Sequence, residues 1–281
     1  MAPSRPRPQV PWRSAGRRAE ARSDSDSVVR ETGWVFNNKR SRHLTLAEFV
    51  DTGEQEVGAY LEQFGFSGAE NQSRVLVEIG SGIGRMTASF THRFGSVIAC
   101  DLDAAFLERC RETVAKFGRP ERLSTVHTHD GRTMHIAQSS ADVTFSYITL
   151  QHCDTSDALN LTTEAFRVLK PGGWVMLNFR TWIPADVVLY PAGVIMRLLW
   201  RLPIVGPWLV SRRWSTRLGW QANRLSPKSV LEHLRRSGIT VEDASIWVRH
   251  TRRQVEVPGV PIRVFEGIAP SHWWLIARRG E

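Results

Sequence analysis

An acidic residue and three alternating glycines follow the first strongly apolar run of the chain. In VLVEIGSGIGRM, Glu78 stands two residues before Gly80, and two more glycines follow as Gly82 and Gly84. Glycines at this spacing let the backbone turn with positive φ and approach a ligand without a clash from Cβ. The pattern therefore predicts a ligand-binding turn between a strand and a helix.

Two familiar nucleotide-binding motifs do not fit this turn. A dinucleotide fingerprint needs G-x-G-x-x-G, but Arg85 occupies the position of its third glycine, and no G-x-x-x-x-G-K-S/T phosphate loop occurs. An acid beside the turn would repel a pyrophosphate, whereas it would attract a cationic ligand. The turn is therefore predicted to hold a ligand that carries positive charge.

Further carboxylates follow the next apolar runs. Asp101 ends VIACD about twenty residues after the turn begins, a spacing at which a carboxylate can accept from both hydroxyls of a ribose. Asp130 precedes Gly131 in HTHDG, where a binding carboxylate and a plain surface turn both suit the residues. Asp103 is predicted to cap the next helix. Asp101 is therefore the stronger candidate for a ligand contact.

Short apolar runs alternate with helical stretches along the chain. This alternation predicts a parallel sheet with helices on both faces. In such sheets ligands bind beyond the carboxyl ends of the strands, which places the candidate residues at one edge. The apolar runs are 74–80, 96–101, 123–128, 142–147 and 174–179, and the helices among them include 103–117 and 157–169.

Together these residues resemble the S-adenosylmethionine-dependent methyltransferases of the Rossmann-like class, of the type 11-like small-molecule kind. The resemblance covers residues 45–180 well and rests on five motifs in the expected order. They are the acid and glycines at 78–84, Asp101, Asp130, ADVTFSYITLQHC at 141–153 and RVLKPGG at 167–173.

The resemblance implies a fold, a cofactor and a set of site residues. The fold is α/β, a doubly wound seven-stranded sheet with its last strand antiparallel, and the cofactor is S-adenosyl-L-methionine. Glu78 is implied to orient the glycine turn and help hold the methionine ammonium, Asp101 to bind the ribose, and Asp130 to lie near the adenine. The implied cofactor site also includes Gly80, Ser81, Gly82, Gly84, Leu102, Gly131, Tyr147 and Gln151.

His152 follows the fourth apolar run and is predicted to face the same crevice. Because an unperturbed imidazole titrates near neutral pH, His152 is the candidate catalytic base for an acceptor hydroxyl. A histidine that packs beside the cofactor is the alternative, and His127, His129 and His135 are nearby candidates for the base. No spacing of ligating side chains indicates a metal site.

The segment 181–223 carries more apolar and tryptophan surface than a connection needs. Arginines and prolines interrupt it, which argues against a membrane span. The pattern predicts a helical cap over the cofactor crevice, a lid that is mobile. Two interpretations stay open: a lid that lines a roomy acceptor pocket, and peripheral membrane contact through 187–220. The runs 241–249 and 271–279 fit the last strands.

Composition bounds the remaining possibilities. The chain has 281 residues, 42% of them hydrophobic, and a formal net charge of +9. Residues 1–30 are predicted to be a disordered basic tail without a secretory signal, and 31–281 one methyltransferase domain. Three cysteines without zinc or disulfide spacing favour a cytoplasmic protein. The basic excess reflects either codon usage or an anionic partner, and no pattern of nucleic-acid binding occurs.

These observations predict a methyltransferase that uses S-adenosylmethionine to O-methylate a hydroxyl of a small-molecule, sugar or lipid-linked acceptor. Alternatives are C- or N-methylation of a hydrophobic metabolite, and a non-catalytic methyltransferase-like module at a membrane. The intact acid and glycine motif disfavours the module. Arg85 disfavours a nicotinamide-dependent oxidoreductase.

Overall fold

An eight-stranded sheet organises the residues that the computed structural model describes, which are 24–32, 44–251 and 255–281. In chain order the strands are β1 (Val75–Ile79), β2 (Ser96–Asp101), β3 (Leu123–His127), β4 (Ala141–Ser146), β5 (Leu169–Arg180), β6 (Val241–Val248), β7 (Ile262–Val264) and β8 (His272–Arg279).

The strands lie in the order β3-β2-β1-β4-β5-β8-β6-β7. Strands β1 to β5 pair in parallel, whereas β8 is antiparallel to both β5 and β6. The doubly wound sheet with an antiparallel last strand is confirmed. The three-residue strand β7 pairs with the edge of β6 and extends the expected seven strands to eight.

Nine α-helices lie among the described residues. They are α1 (Ser25–Thr32), α2 (Leu46–Phe64), α3 (Thr87–Arg93), α4 (Ala104–Phe117), α5 (Thr155–Val168), α6 (Asp186–Leu199), α7 (Val205–Val210), α8 (Arg213–Gly219) and α9 (Pro227–Arg236).

Local capping explains where several helices begin and end. Thr45 and Glu48 form a reciprocal capping box at the start of α2, which ends at Gly65 with φ of 82°. The Asp103 carboxylate accepts from the amide of Ala105 at 2.9 Å, so the predicted cap of α4 is confirmed. Ser226 caps α9 by accepting from the amide of Ser229.

Both faces of the sheet are buried, as a parallel sheet requires. Successive residues of β1 point to opposite sides: Leu76 packs in a cluster with Phe90 and Phe94, and Val77 in a cluster with Phe166. The central strands therefore carry nearly continuous apolar runs, and Glu78 and Asp101 stand at or near the carboxyl ends of β1 and β2.

The structure differs from the predicted disordered tail over 24–30. Val28 and Val29 of α1 are buried in a cluster with Phe49. The Asp26 carboxylate accepts from the amide of Leu46 at 2.7 Å, so α1 is joined to the start of α2. Burial of these two adjacent valines stabilises the segment, and residues 1–23 lie outside the described residues.

The cap, residues 181–223, contains α6, α7 and α8 and has a small apolar core of its own. Met196, Trp200, Leu209 and Val210 form this core. Among the described residues, no helix combines the length and the apolar character that crossing a bilayer requires.

Candidate functional site

The turn after β1 is held against the end of β2. The amides of Gly80 and Ser81 both donate to the carbonyl of Cys100, at 2.8 and 3.0 Å. Gly80 has φ of 82°, and a Cβ there would lie 2.2 Å from Oγ1 of Thr149. Only glycine fits this position, because both the conformation and the contact exclude a side chain.

A cavity of about 310 Å³ opens beyond this turn, between the sheet and the cap. Its volume is at the lower end of the range for small-molecule pockets. The predicted residues that line it are Glu78, Gly80, Ser81, Gly82, Asp101, Leu102, Gly131, Tyr147 and His152.

Glu78 is a buried carboxylate at the base of the cavity. Its Oε2 accepts from the hydroxyl of Thr87 at 2.6 Å. Burial raises the pKa of Glu78 to about 7, and the hydroxyl and the Arg85 guanidinium oppose that shift only in part. A cation in the cavity would therefore stabilise the ionised form of Glu78.

Asp101 ends β2 on the opposite side of the glycine turn. Its two carboxylate oxygens accept from the amides of Gly82 at 2.8 Å and Asp103 at 3.0 Å. Burial raises the pKa of Asp101 to about 6, although these amides favour the ionised form. The carboxylate is thus fixed in orientation and faces the cavity, as a contact to neighbouring hydroxyls would require.

Ser81 offers a polar atom without a protein partner. Its hydroxyl is buried, has no hydrogen-bond partner and lies in the cavity wall. A buried hydroxyl in this state costs free energy unless a ligand or water satisfies it. The two carboxylates, the glycine turn and this hydroxyl form a donor and acceptor set that suits a cationic, hydroxyl-bearing ligand such as S-adenosylmethionine.

Tyr147 contributes an apolar wall. Its ring is stacked on Trp274 with centroids 5.6 Å apart, and it also contacts Tyr60. Burial raises the pKa of Tyr147 to about 12, so the phenol is neutral over the physiological range.

Three predicted residues lie outside the cavity wall. Gly84 has φ of 89°, and a Cβ there would lie 3.0 Å from Cα of Cys110, so this glycine allows close packing against α4. Asp130 accepts from the amides of Arg132 and Thr133 and closes its own turn, so Asp130 itself lies off the wall while its neighbour Gly131 lines it. Gln151 is buried, and its side-chain amide nitrogen lies 3.4 Å from Nε2 of His152.

His152 lies in the wall, but both ring nitrogens contact Trp220. Nδ1 is 3.0 Å from the carbonyl of Trp220, and Nε2 accepts from the indole Nε1 of the same residue. Burial lowers the pKa of His152 to about 3, and positive charge on Arg180 adds to the effect. In this arrangement the imidazole is neutral and engaged, which disfavours the predicted role of general base.

The cap supplies cavity residues that the motif pattern did not include. Arg197, Trp200, Arg201 and Trp220 line the wall opposite the glycine turn. Arg197 and Arg201 are four residues apart near the end of α6, so they project from the same side of the chain. Their helical spacing was visible in the sequence, but nothing in the sequence indicated that this side faces the cofactor crevice.

The arginines give this half of the cavity a positive character. Arg197 donates to the carbonyl of Gln221 at 3.1 Å, and desolvation lowers its pKa. Arg201 is exposed at the rim, and Arg132 lies across the cavity, where it pairs with Asp157 at 2.5 Å. Asp154 and Asp157 also line the cavity, and Asp157 compensates Arg132, so Arg197 and Arg201 are the basic groups that the cap itself adds to the wall.

Residues 77–177 match the family described as a methyltransferase domain. This range contains the glycine turn, Glu78 and Asp101, the last three residues of β1, strands β2 to β4 and most of β5. Fold, site and family match agree: the range is a domain of the class I S-adenosylmethionine-dependent methyltransferases, and S-adenosylmethionine is the cofactor of that class.

Two curated relatives share parts of this range. The biotin biosynthesis bifunctional protein BioHC of Cellvibrio japonicus (strain Ueda107) is 37% identical over 98 residues, 35% of this chain and 18% of the relative. The malonyl-(acyl-carrier protein) O-methyltransferase of Marinomonas sp. (strain MWYL1) is 32% identical over 115 residues, 38% of each chain. The chain therefore spans well under half the length of these relatives.

A solved structure extends the likeness to the whole fold. Phosphoethanolamine N-methyltransferase 1 of Haemonchus contortus, in complex with phosphoethanolamine and S-adenosylhomocysteine, gives a TM-score of 0.51 at 14% identity. The match covers 96% of this chain and 48% of that one. At this identity the likeness shows the fold alone.

Proposed function

We propose that this protein is an O-methyltransferase for a small-molecule or lipid-linked acceptor whose reacting oxygen is already ionised, as in a carboxylate. The observation that carries the proposal is a single cavity with two opposite halves. One half presents Glu78, Ser81 and Asp101, and the other presents Arg197 and Arg201.

The acidic half suits the cofactor. S-adenosylmethionine supplies an electrophilic methyl group on a sulfonium, beside an ammonium and a ribose. Glu78 offers a carboxylate to the positive charge, and Asp101 offers a fixed pair of oxygens to hydroxyl groups. The hydroxyl of Ser81, which has no hydrogen-bond partner in the protein, can bond to a polar group of the cofactor.

The basic half suits an anionic acceptor. A guanidinium presents a planar fork of donors that matches a carboxylate. A carboxylate oxygen needs no base before it attacks a methyl group, whereas a neutral hydroxyl must lose a proton. Both ring nitrogens of His152 are occupied by Trp220, so the imidazole is not available to take a proton from an acceptor. An acceptor that is already ionised needs no such base. The Marinomonas relative, an O-methyltransferase by name, supports transfer to oxygen.

The cofactor half is tested by calorimetric titration with S-adenosylhomocysteine. We expect Asp101→Asn to weaken binding by about tenfold or more, because a charge-assisted contact is worth about 1.5 to 3 kcal/mol. Asp243→Asn is the matched control, since Asp243 forms an exposed pair with Arg278 across β6 and β8, outside the cavity wall. Equal losses in both variants, or no binding by the unchanged protein, would contradict the proposal.

The acceptor half is tested with methyl-labelled S-adenosylmethionine and a panel of carboxylic acids, alcohols and amines of matched carbon skeleton. We expect the label in a base-labile ester. Arg201→Gln should raise the KM for the acid, and Arg212→Gln, an exposed cap arginine outside the cavity wall, should not. A base-stable product formed on the amine or alcohol would overturn the acceptor class and leave the cofactor assignment intact.

A further inference from the structure

Exposed apolar side chains are concentrated on the cap. Among the described residues, eleven of the twelve large hydrophobic side chains that stand exposed lie between 182 and 214, and the other is Val264. Soluble proteins scatter such residues singly, so a concentration of this kind marks an interaction surface. The eleven are Trp182, Val187, Val188, Leu189, Ile195, Leu198, Leu202, Ile204, Val205, Trp208 and Trp214.

The outward side of α6 shows why this surface is unusual. Val188, Ile195 and Leu198 recur at helical spacing and are all exposed, while Gly193 and Met196 on the opposite side are buried. A helix on a soluble surface carries polar residues outward. Helix α6 is apolar on both sides, so its outer side is suited to an apolar environment.

The same surface continues beyond α6. Ile204 is 89% exposed, and Trp208 and Trp214 are more than half exposed. Tryptophan is enriched where proteins meet the boundary between lipid headgroups and hydrocarbon. The apolar surface therefore combines aliphatic groups that can insert with indoles that favour the interface.

The positive charge of the cap and the residues that follow it favours an anionic partner. Seven basic and no acidic residues lie between Asp186 and Glu232. Arg201, Arg212 and Arg217 are exposed among the apolar residues, and the guanidinium of Arg212 lies 4.9 Å from the ring centroid of Trp208. An anionic bilayer complements this mixture of arginine and apolar surface. A second copy would bring like charges together, which disfavours self-association.

We infer that the outer face of the cap is a docking surface for an anionic lipid bilayer. It consists of the eleven exposed apolar residues together with Arg201, Arg212 and Arg217. Arg201 also lines the cavity, and its neighbours Leu198 and Leu202 are exposed, so the surface reaches the cavity rim. Docking through this face brings the mouth of the cavity to the headgroup region.

The inference is tested by co-sedimentation of the full chain with vesicles, without cofactor or acceptor. One set is phosphatidylcholine alone, and the other contains phosphatidylglycerol at about a third of the lipid. We expect binding to the anionic vesicles, weakened by salt, and a blue shift of tryptophan emission. Leu198→Gln/Ile204→Gln/Trp208→Gln should lower the partition coefficient by about tenfold or more, since each inserted apolar side chain contributes. Val264→Gln is the matched control, an exposed apolar residue outside the cap.

Charge is tested separately by Arg212→Gln/Arg217→Gln, with Arg119→Gln outside the cap as the control. The double variant should lose about tenfold in binding to anionic vesicles and little else, because basic residues near a charged bilayer add to affinity. Circular dichroism of each variant verifies that it is folded. Absence of vesicle binding, equal binding to both vesicle types, or a dimer in sedimentation velocity that the triple variant dissociates would each overturn the inference.

Discussion

At the scale of single residues, the site is built from carboxylates that the protein itself does not neutralise. Burial raises the pKa of Glu78 to about 7 and that of Asp101 to about 6, and no guanidinium forms a direct pair with either among the described residues. Two groups that ionise reluctantly face the same cavity. A cationic ligand would favour the ionised form of both carboxylates. Ligand binding is therefore expected to depend on pH.

The raised pKa of Glu78 leads us to expect that cofactor binding releases protons. A positive charge beside Glu78 favours its ionised form and lowers its pKa, so the free protein holds more protons than the complex near pH 7. The affinity for S-adenosylhomocysteine should therefore rise with pH between about 5.5 and 8. Calorimetry near pH 7 in phosphate and in Tris checks this, because released protons make the measured heat depend on the buffer.

Glu78→Gln removes the titrating group and should remove most of that buffer dependence. Asp243→Asn, at an exposed site, should retain it. Heats that are identical in the two buffers for the unchanged protein would show that Glu78 does not couple to the ligand.

The contacts of His152 lead us to expect that this residue helps to position the acceptor. The imidazole joins the turn after β4 to Trp220 of the cap, so His152→Gln should raise the KM for the acceptor and lower kcat by less than about tenfold. With a pKa of about 3, His152 gives the unchanged enzyme no activity limb near neutral pH. A pH profile of kcat for both proteins checks the split. A drop in kcat of about a hundredfold, with loss of a limb near pH 6 to 7, would restore the role of general base.

At the scale of elements, one buried charge cluster joins the cap to the sheet. Asp186 at the start of α6 is fully buried and pairs with Arg180 of β5 at 2.9 Å and with Arg224 at 2.8 Å. Both guanidiniums keep a buried Nε without a hydrogen-bond partner. The cluster carries a net positive charge, and its single carboxylate compensates two buried cations.

Asp186→Asn should therefore destabilise the protein strongly. Removing the one acidic member of a buried cluster costs about 3 to 5 kcal/mol, because it leaves charges uncompensated. The free energy of unfolding in urea measures the loss. Glu232→Gln is the control, since its exposed pair with Arg236 contributes less than about 1 kcal/mol. A similar small loss in both variants would mean that the cluster does not hold the cap.

At the scale of the whole molecule, the sheet and the cap contribute different charged groups to the cavity. Within the cavity, the ends of β1 and β2 carry Glu78 and Asp101, and the cap carries Arg197 and Arg201. The net charge of +9 is concentrated in part on a segment of seven basic residues without an acid. Such a one-sided field draws anionic molecules toward the cavity rim. Whether the cap opens and closes as a lid stays a prediction.

The sequence by itself determined the sheet and the acidic half of the site. A glycine in a turn and an acidic residue at the end of a strand are local features of the sequence. Spacing alone was therefore enough to place Gly80 and Asp101 in the site. Alternating apolar runs specified a parallel sheet for a similar reason, because burial on both faces dictates composition. The two valines of α1 give no comparable signal, since a segment of eight residues carries little periodicity.

Only the tertiary structure decided the basic half of the site and the state of His152. The imidazole is neutral and engaged because Trp220, 68 residues away in the chain, packs against it. Arg197 and Arg201 reach the cavity because Asp186, Arg180 and Arg224 fix α6 over the sheet. Contacts between residues distant in sequence depend on how elements pack, and no local pattern records that packing.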